Sequence, residues 1–252
     1  MIPAVVIFDL DKTLAASKQP ITPAMAEALT QLLTRTNVAI ITGGKFEQLT
    51  GQAADLLPED ATRERLYLLP TSGAALYEYH EGTWQVLYEE RLTEKEVQEI
   101  EAAMEEAIAE TDVVDTSVPS YGPRIENRGT QVALSALGQQ APVGEKEAWD
   151  PERTKRLILR DAIAAHLPDY SVKTGGASTI DVTKKGVDKA FGVRKLAEHL
   201  SLPVSAMLYV GDALYPLGND EVVIQTGIPT RQVSGPEETL EVIGELLDAS
   251  QA

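Results

Sequence analysis

The sequence predicts an α/β protein, a Rossmann-like parallel sheet interrupted by an inserted α+β unit, and three observations lead to that class. Short apolar runs ending near Asp9, Thr42 and Gly211 alternate with amphipathic stretches, the order expected of β-α-β units. The texture changes between about residues 83 and 186, where hairpin-like runs and two separate helical stretches replace that alternation. The parallel pattern then resumes to the end of the chain. The expected organisation is therefore a core of residues 1–82 and 187–252 with an α+β unit, residues 83–186, set into it.

Each element has its own reason. Val5-Val-Ile-Phe8 reads as a buried strand that ends abruptly in Asp9-Leu-Asp11. Thr22-Pro23 supplies an N-cap and a proline at the first helical position, and Met25, Ala28, Leu29, Leu32 and Leu33 mark one face of the helix, which Asn37 is expected to end. Val38 to Thr42 is a second buried strand, and Gly43-Gly44 leads into a helix through Phe46, Leu49, Ala53 and Leu56. A short strand, Leu66 to Leu69, is followed by strand-like runs from Ala75 to Glu78 and Trp84 to Glu90 around Glu81-Gly82, the pattern of a hairpin. Thr93-Glu-Lys-Glu96 is a capping box opening a long acidic helix to about Glu110. Val132 to Leu137 is a strand, 138–144 a loop, and Asp150-Pro151 opens a helix to about Leu167. Strands from Tyr170 to Lys173 and Ser178 to Val182 flank Gly175-Gly176. Past Gly186 come a helix through Lys189, Phe191, Val193, Leu196 and Leu200, a strand from Ala206 to Val210 ending in Gly211-Asp212, a further strand from Val222 to Ile224, and a last helix from Pro236 to about Asp248.

Composition narrows the function. The chain of 252 residues is 43% hydrophobic and 24% charged, with a net charge of −17. That charge argues against nucleic acid or anionic membrane as a partner, because such binding is carried by clustered Lys and Arg. No apolar run approaches the roughly 20 residues of a helical membrane span, and the chain enters its first strand without the regions of a signal peptide. The expected compartment is the cytoplasm. The absence of cysteine removes disulfides, thiolate nucleophiles and Cys-ligated zinc, and His80, His166 and His199 lack metal-ligand spacing.

The chemistry is expected at the ends of the core strands. Asp9 and Asp11 lean to one side of their strand, where a parallel sheet opens its ligand crevice. Two carboxylates so close repel each other, and a hard divalent cation such as Mg²⁺ relieves the repulsion. A dinucleotide site is not indicated: Gly-x-Gly-x-x-Gly is missing after the first strand, where two acids would repel a pyrophosphate.

Asp9-x-Asp11, Thr42 after Ala-Ile-Ile, Lys189, and Gly211-Asp212 followed by Gly218-Asn219-Asp220 together resemble the four signature motifs of the haloacid dehalogenase superfamily of phosphotransferases. A narrower resemblance lies in Phe46-Glu-Gln-Leu49, Ile125-Glu-Asn-Arg128, Ser135-Ala-Leu-Gly138, Gly175-Gly176 with Ser178 and Asp181-Val182, Asp188-Lys189 and the run 211–220. These look like the eukaryotic-type phosphomannomutases of the type IIB capped branch. The resemblance implies that the insertion is a substrate-specificity cap, that the cofactor is Mg²⁺, and that the substrate is a small phosphorylated molecule such as a hexose phosphate. A homodimer joined through the cap is the assembly it suggests.

In such chemistry Asp9 is the nucleophile that forms an aspartyl-phosphate, and Asp11 protonates the leaving oxygen and later deprotonates the acceptor. Thr42 and Gly43 hold phosphoryl oxygens, and Lys189 offsets their charge. Asp9, Asp11 (by the family pattern through its carbonyl), Asp212 and Asp220 are the expected metal ligands. In the cap, Arg124 and Arg128 are candidates for a distal phosphate, of which only Arg128 carries over by the resemblance. Gly176 and Ser178 offer donors and Asp181 holds sugar hydroxyls. Three positions depart from the mutase pattern: Lys12 stands in place of glycine, Lys45 in place of an acid, and Gln139 in place of an arginine that binds the distal phosphate. The alternatives to a mutase are a phosphatase of a small phosphorylated metabolite and a non-catalytic phosphate-binding protein.

Overall fold

A computed structural model of the chain describes residues 2–249. In chain order the elements are β1 (Val5–Asp9), α1 (Pro23–Leu33), β2 (Asn37–Ile41), α2 (Phe46–Gln52), β3 (Leu66–Leu69), β4 (Ala75–His80), β5 (Thr83–Glu89), α3 (Glu94–Thr111), β6 (Ile125–Asn127), β7 (Val132–Ser135), α4 (Val143–Trp149), α5 (Thr154–His166), β8 (Tyr170–Thr174), β9 (Thr179–Lys184), α6 (Lys189–Leu200), β10 (Met207–Gly211), β11 (Thr230–Gln232) and α7 (Pro236–Ala249). They form two compact units, one of residues 1–89 and 188–252 and the other of residues 90–187.

The first unit is built on a seven-stranded sheet in the order β11-β10-β1-β2-β3-β4-β5. The first five strands of that order run parallel, and β4 and β5 add an antiparallel edge. Val5 to Phe8 are wholly buried because both faces of β1 are covered. Val6 and Phe8 point into a core shared with Leu29 and Leu32 of α1 and with Val242 and Ile243 of α7. Val5 and Ile7 point to the other side, against Val193 and Leu196 of α6. Each such side chain stabilises the fold by about 1.5–3 kcal/mol, so this strand is held rigidly. The chain leaves β1 toward β2 on one side and returns as β10 on the other, so the sheet order reverses beside Asp9. Such reversal points are where α/β sheets bind ligands.

The second unit carries the antiparallel sheet β6-β7-β9-β8. Ile100 and Met104 of α3 and Leu159 and Ile163 of α5 cover its apolar face. The capping box of α3 is present, with the Thr93 hydroxyl accepting from Glu96 N at 3.3 Å and Glu96 Oε2 accepting from Thr93 N at 2.7 Å. Thr93→Ala is expected to lower stability by about 1 kcal/mol, read in urea unfolding followed by circular dichroism; an unchanged midpoint would contradict it.

Several elements differ from the sequence expectation. The boundary at residue 83 falls inside the β4–β5 hairpin, which stays in the seven-stranded sheet, and the second unit begins at Glu90. Asn37 opens β2 rather than ending α1. Val222 to Ile224 is not a strand but part of a 3₁₀ turn, Glu221–Thr226, that puts Val223 into the core beneath α6; the edge strand is β11. Asp150 and Pro151 precede α5, with both Asp150 carboxylate oxygens accepting from backbone N–H groups of its first turn. The loop read at 138–144 runs into α4, and β6 is too short to show a period of its own. No helix among the described residues is long and apolar enough to cross a membrane.

Candidate active site

The carboxyl ends of β1 and β10 bring the acidic groups together. Asp9 is the last residue of β1 and is almost wholly buried, Asp212 follows β10, and Asp220 returns on the loop after it, fully buried. One carboxylate oxygen from each lies within 4.8 Å of the others. Lys189, at the start of α6, stands between two of them: its ammonium donates to Asp9 Oδ1 and to Asp220 Oδ1, each at 2.6 Å. The helix reaches this position through a close approach of backbones. A Cβ on Gly192 would lie 2.9 Å from the Gly73 Cα and 3.0 Å from Leu69, so glycine at 192 lets α6 settle on the sheet. Asp188 caps the helix by accepting from Phe191 N at 3.0 Å.

Asp220 is more heavily engaged than a simple ligand. Its Oδ1 also accepts from the Tyr209 hydroxyl at 2.5 Å, and its Oδ2 from Ala213 N at 3.2 Å. Gly211 makes room, since a Cβ there would lie 2.9 Å from the Tyr209 ring. Tyr209→Phe removes a buried hydrogen bond to a charged acceptor and is expected to cost about 1.5–3 kcal/mol; equal denaturation midpoints for variant and parent would contradict it. Thr13, also fully buried, accepts from Asp212 N at 3.0 Å through its hydroxyl, and its carbonyl accepts from Thr239 at 2.8 Å. Neither Tyr209 nor Thr13 was singled out by the sequence. Thr13 had a signal, as the next hydroxyl after the two aspartates; Tyr209 had none, because a tyrosine in an apolar strand reads as core.

Electrostatics follow from crowding. Burial pushes Asp9 up to about 8 against the pull of Lys189, with Asp220 and Asp212 adding repulsion. Asp212 is pushed up to about 6 by burial and Asp220, opposed by Lys189 and Lys12. Burial alone would lower Lys189, but Asp220 and Asp9 outweigh it and hold its ammonium protonated. Fully ionised, three carboxylates and one ammonium leave a charge of about −2, which a hard divalent cation with oxygen ligands would balance. The donor set fits such an ion.

Asp11 stands apart from this group. Its Oδ1 accepts from Lys18 N at 2.6 Å and its Oδ2 from the Lys18 ammonium at 3.1 Å. Its carboxylate is thus paired within the 11–18 loop and does not join the acidic cluster. Lys12 occupies a left-handed backbone conformation, φ 63°, which explains why glycine suits that position. Thr42 is buried, with its hydroxyl accepting from Gly44 N at 3.1 Å, and Gly43 lies between them in the turn after β2.

In the second unit the candidates separate into groups. Arg128 donates through Nε to Glu126 Oε2 at 2.8 Å and through Nη2 to Gln139 Oε1 at 3.4 Å, and its Nη1 lies 3.9 Å from Asp181 Oδ1. A Cβ on Gly175 would overlap the Asp181 carboxylate, so this glycine rather than Gly176 makes the close approach. The Gly176 carbonyl accepts from Arg156 at 2.8 Å. The Ser178 hydroxyl is buried 3.4 Å from that of Ser135. Arg124 donates through Nε to Ala136 O at 3.1 Å and through Nη2 to Asp115 O at 3.1 Å and Val118 O at 3.3 Å, bracing the 115–118 loop.

A parallel sheet with a buried aspartate at its reversal point, a lysine at the start of α6 and a carboxylate cluster that includes the acids after β10 defines a haloacid dehalogenase-type enzyme core. Solved structures agree on the fold: N-terminally truncated IMP-nucleotidase of Plasmodium falciparum, with IMP bound, aligns with a TM-score of 0.70 at 19% identity over 98% of this chain and 68% of that one. The family model for eukaryotic phosphomannomutase matches residues 25–249, and the chain belongs to that family. A probable phosphomannomutase of Caenorhabditis elegans is 27% identical over 96% of this chain and 95% of its own. The phosphomannomutase of Schizosaccharomyces pombe is 23% identical over 93% and 91%.

Proposed function

We propose that this protein is a Mg²⁺-dependent phosphotransferase of the phosphomannomutase type, drawing a phosphoryl group from a sugar phosphate, most simply a hexose phosphate, onto Asp9. The observation that carries this is the sharing of Lys189 between Asp9 and Asp220 at 2.6 Å each. It holds one Asp9 oxygen and leaves the carboxylate anchored on a rigid strand end as a nucleophile. Attack on phosphorus forms the bond to Asp9 and releases the sugar oxygen, which Asp11 protonates after exchanging its Lys18 partner for the substrate. Thr42 and Gly43 present donors to the phosphoryl oxygens. Asp9, Asp212 and the Asp11 carbonyl would hold Mg²⁺, which when bound offsets negative charge on the transferring group. Asp220, already accepting from Lys189, Tyr209 and Ala213, serves chiefly to position Lys189. The second unit acts as the specificity cap and as the contact of a homodimer, which sedimentation would test.

The phosphoryl group then passes to a sugar, as in a mutase, or to water, as in a phosphatase. Supplying hexose 1- and 6-phosphates with Mg²⁺, with and without a hexose bisphosphate primer, and following both isomer formation and phosphate release, tests the reading. Failure to transfer phosphate from any sugar phosphate would sink it. The hydrolytic branch is favoured by one observation, the pairing of Arg128 with Glu126 and Gln139.

Metal addition tests the cluster separately. Asp9 near 8 and Asp212 near 6 keep protons in the fold that the unfolded chain, with carboxylates at about 3.8, has already lost. Without a divalent cation, stability therefore falls as pH rises from about 4 to about 8. Mg²⁺ at a fixed concentration of about 100 times its Kd at pH 8 should raise the melting temperature by roughly 5–10 °C at pH 8 and by less at pH 6, where protons compete for Asp9. An equal shift at both pH values in thermal melts with EDTA or Mg²⁺ would contradict the assignment.

A further inference from the structure

A tyrosine at the middle of β10 carries a polar group into the core of the first unit. Tyr209 is wholly buried and stands opposite Ile7 of β1, among apolar side chains that include Met207, Val193 and Val223. A phenylalanine would fill that space equally well, and a hydroxyl taken out of water has to find a partner. Tyr209 finds it in Asp220, to which it donates at 2.5 Å. The strand makes room for this contact. Gly211, two residues on and so on the same face, would carry a Cβ 2.5 Å from Asp220 Oδ2 and 2.9 Å from the Tyr209 ring.

The contact bears on where Lys189 stands. Asp220 Oδ1 accepts from both the Tyr209 hydroxyl and the Lys189 ammonium, while Oδ2 accepts from Ala213 N at 3.2 Å. Donors on both oxygens fix the plane of the carboxylate. An ammonium has three hydrogens to give. Lys189 gives one to Asp220 and one to Asp9 Oδ1, each at 2.6 Å, which leaves the third for a phosphoryl oxygen. Without the tyrosine hydroxyl, Oδ1 is held by the lysine alone. The carboxylate is then free to turn about its Cβ–Cγ bond, and a lysine on its flexible stem follows it. Relieved of one donor, Oδ1 also attracts the ammonium more strongly, at the expense of Asp9.

We infer that Tyr209 is a positioning residue for phosphoryl transfer: its hydroxyl holds Asp220 in the orientation that delivers the Lys189 ammonium to Asp9. This rests on the reading of Asp9 as the nucleophile. Tyr209 is wholly buried and its hydroxyl is committed to Asp220, so its effect on the reaction passes through Asp220 and Lys189 and not through contact with the substrate. Docking of the phosphoryl group falls to donors elsewhere, at Thr42 and Gly43. The effect of the tyrosine therefore belongs to the chemical step.

Tyr209→Phe keeps the ring and removes only the hydroxyl. The full chain and this variant are compared with Mg²⁺ and hexose 1- and 6-phosphates, at a temperature where circular dichroism shows both folded. The variant should lose kcat by about tenfold or more, the cost of a misplaced charge. Its KM should stay within about twofold of the parent value, since an interaction that acts in the transition state lowers kcat and kcat/KM together. Crystal structures of the two should differ at Lys189, with the ammonium withdrawn from Asp9 Oδ1 by about 1 Å or more in the variant. Met207→Ala controls for packing: it opens the same core two residues earlier on the same face of β10. It should lower the melting temperature while keeping kcat within about twofold of the parent. The inference falls if Tyr209→Phe keeps the parent kcat, if KM rises in its place, if Lys189 holds its position on Asp9 in the variant crystal, or if Met207→Ala lowers kcat as far as Tyr209→Phe. Absence of phosphate transfer by the parent from every ester, or undiminished turnover by Asp9→Asn, would instead bring down the reading of Asp9, and this inference with it.

Discussion

Asp9→Asn is expected to lower phosphoryl transfer by about 10⁴-fold or more, because an amide supplies neither the charge nor the leaving ability of an aspartyl-phosphate. Stability should move the other way. Asp9 is a buried member of an over-acidic cluster, held up to about 8 chiefly by burial, so its ionised form is costly in the absence of a divalent cation. An asparagine keeps an oxygen to accept from Lys189, and Asp220 keeps the ammonium paired. The metal-free variant should therefore melt no lower than the parent at pH 8, and should lose most of the stabilisation by Mg²⁺. Single-turnover assays with acid-quench trapping, alongside thermal melts, check both parts. Turnover within tenfold of the parent would remove Asp9 from the chemistry, whereas loss of activity with a collapsed fold would leave only a structural role.

Lys189→Met should be the most damaging single change to the fold of the first unit. The side chain is only 3% exposed and sits 2.6 Å from each of two buried carboxylates. Removing one partner of a buried ion pair costs about 3–5 kcal/mol, because the opposite charge is left without compensation. The loss should be greatest near pH 8 and should diminish toward pH 5, where Asp9, held up to about 8 by burial, takes up a proton instead. Activity should fall by about 10³-fold, as the developing charge on the phosphoryl group loses its cation. The Lys189→Met, Asp9→Asn double variant separates the effects: it should recover part of the stability and none of the activity. A Lys189→Met protein as stable as the parent across this pH range would show that the lysine is not the counter-charge.

Much of this arrangement is legible in the residues themselves. Val5 to Phe8 are apolar on both faces, which only a strand covered on both sides requires, and Asp9 marks the point where cover ends. Asp9 ends a strand, Lys189 begins a helix and Asp212 follows the glycine that closes β10, with Asp220 on the loop just beyond, and the β-α-β order sends those points to one end of a parallel sheet. The cap was less legible. Arg124 and Arg128 have the same side chain four residues apart, yet one braces a loop through three carbonyls and the other pairs with Glu126. Nothing local distinguishes them, since the difference lies in which backbone oxygens the fold happens to place nearby.

The sequence by itself determined the class of core and the sheet polarity, because hydrophobic period and strand-end chemistry are local properties, and its resemblance to a known family pointed to the lysine and to the acidic residues after β10. Tertiary structure alone decided what each polar group is committed to. Asp220 proved to accept from Lys189, Tyr209 and Ala213, and Asp11 to be held by Lys18. Gln139 presents an oxygen because two carbonyls hold its nitrogen. A hydrogen-bond partner is a matter of distance in space, and residues as far apart as Asp9 and Lys189 acquire one only when the chain has closed.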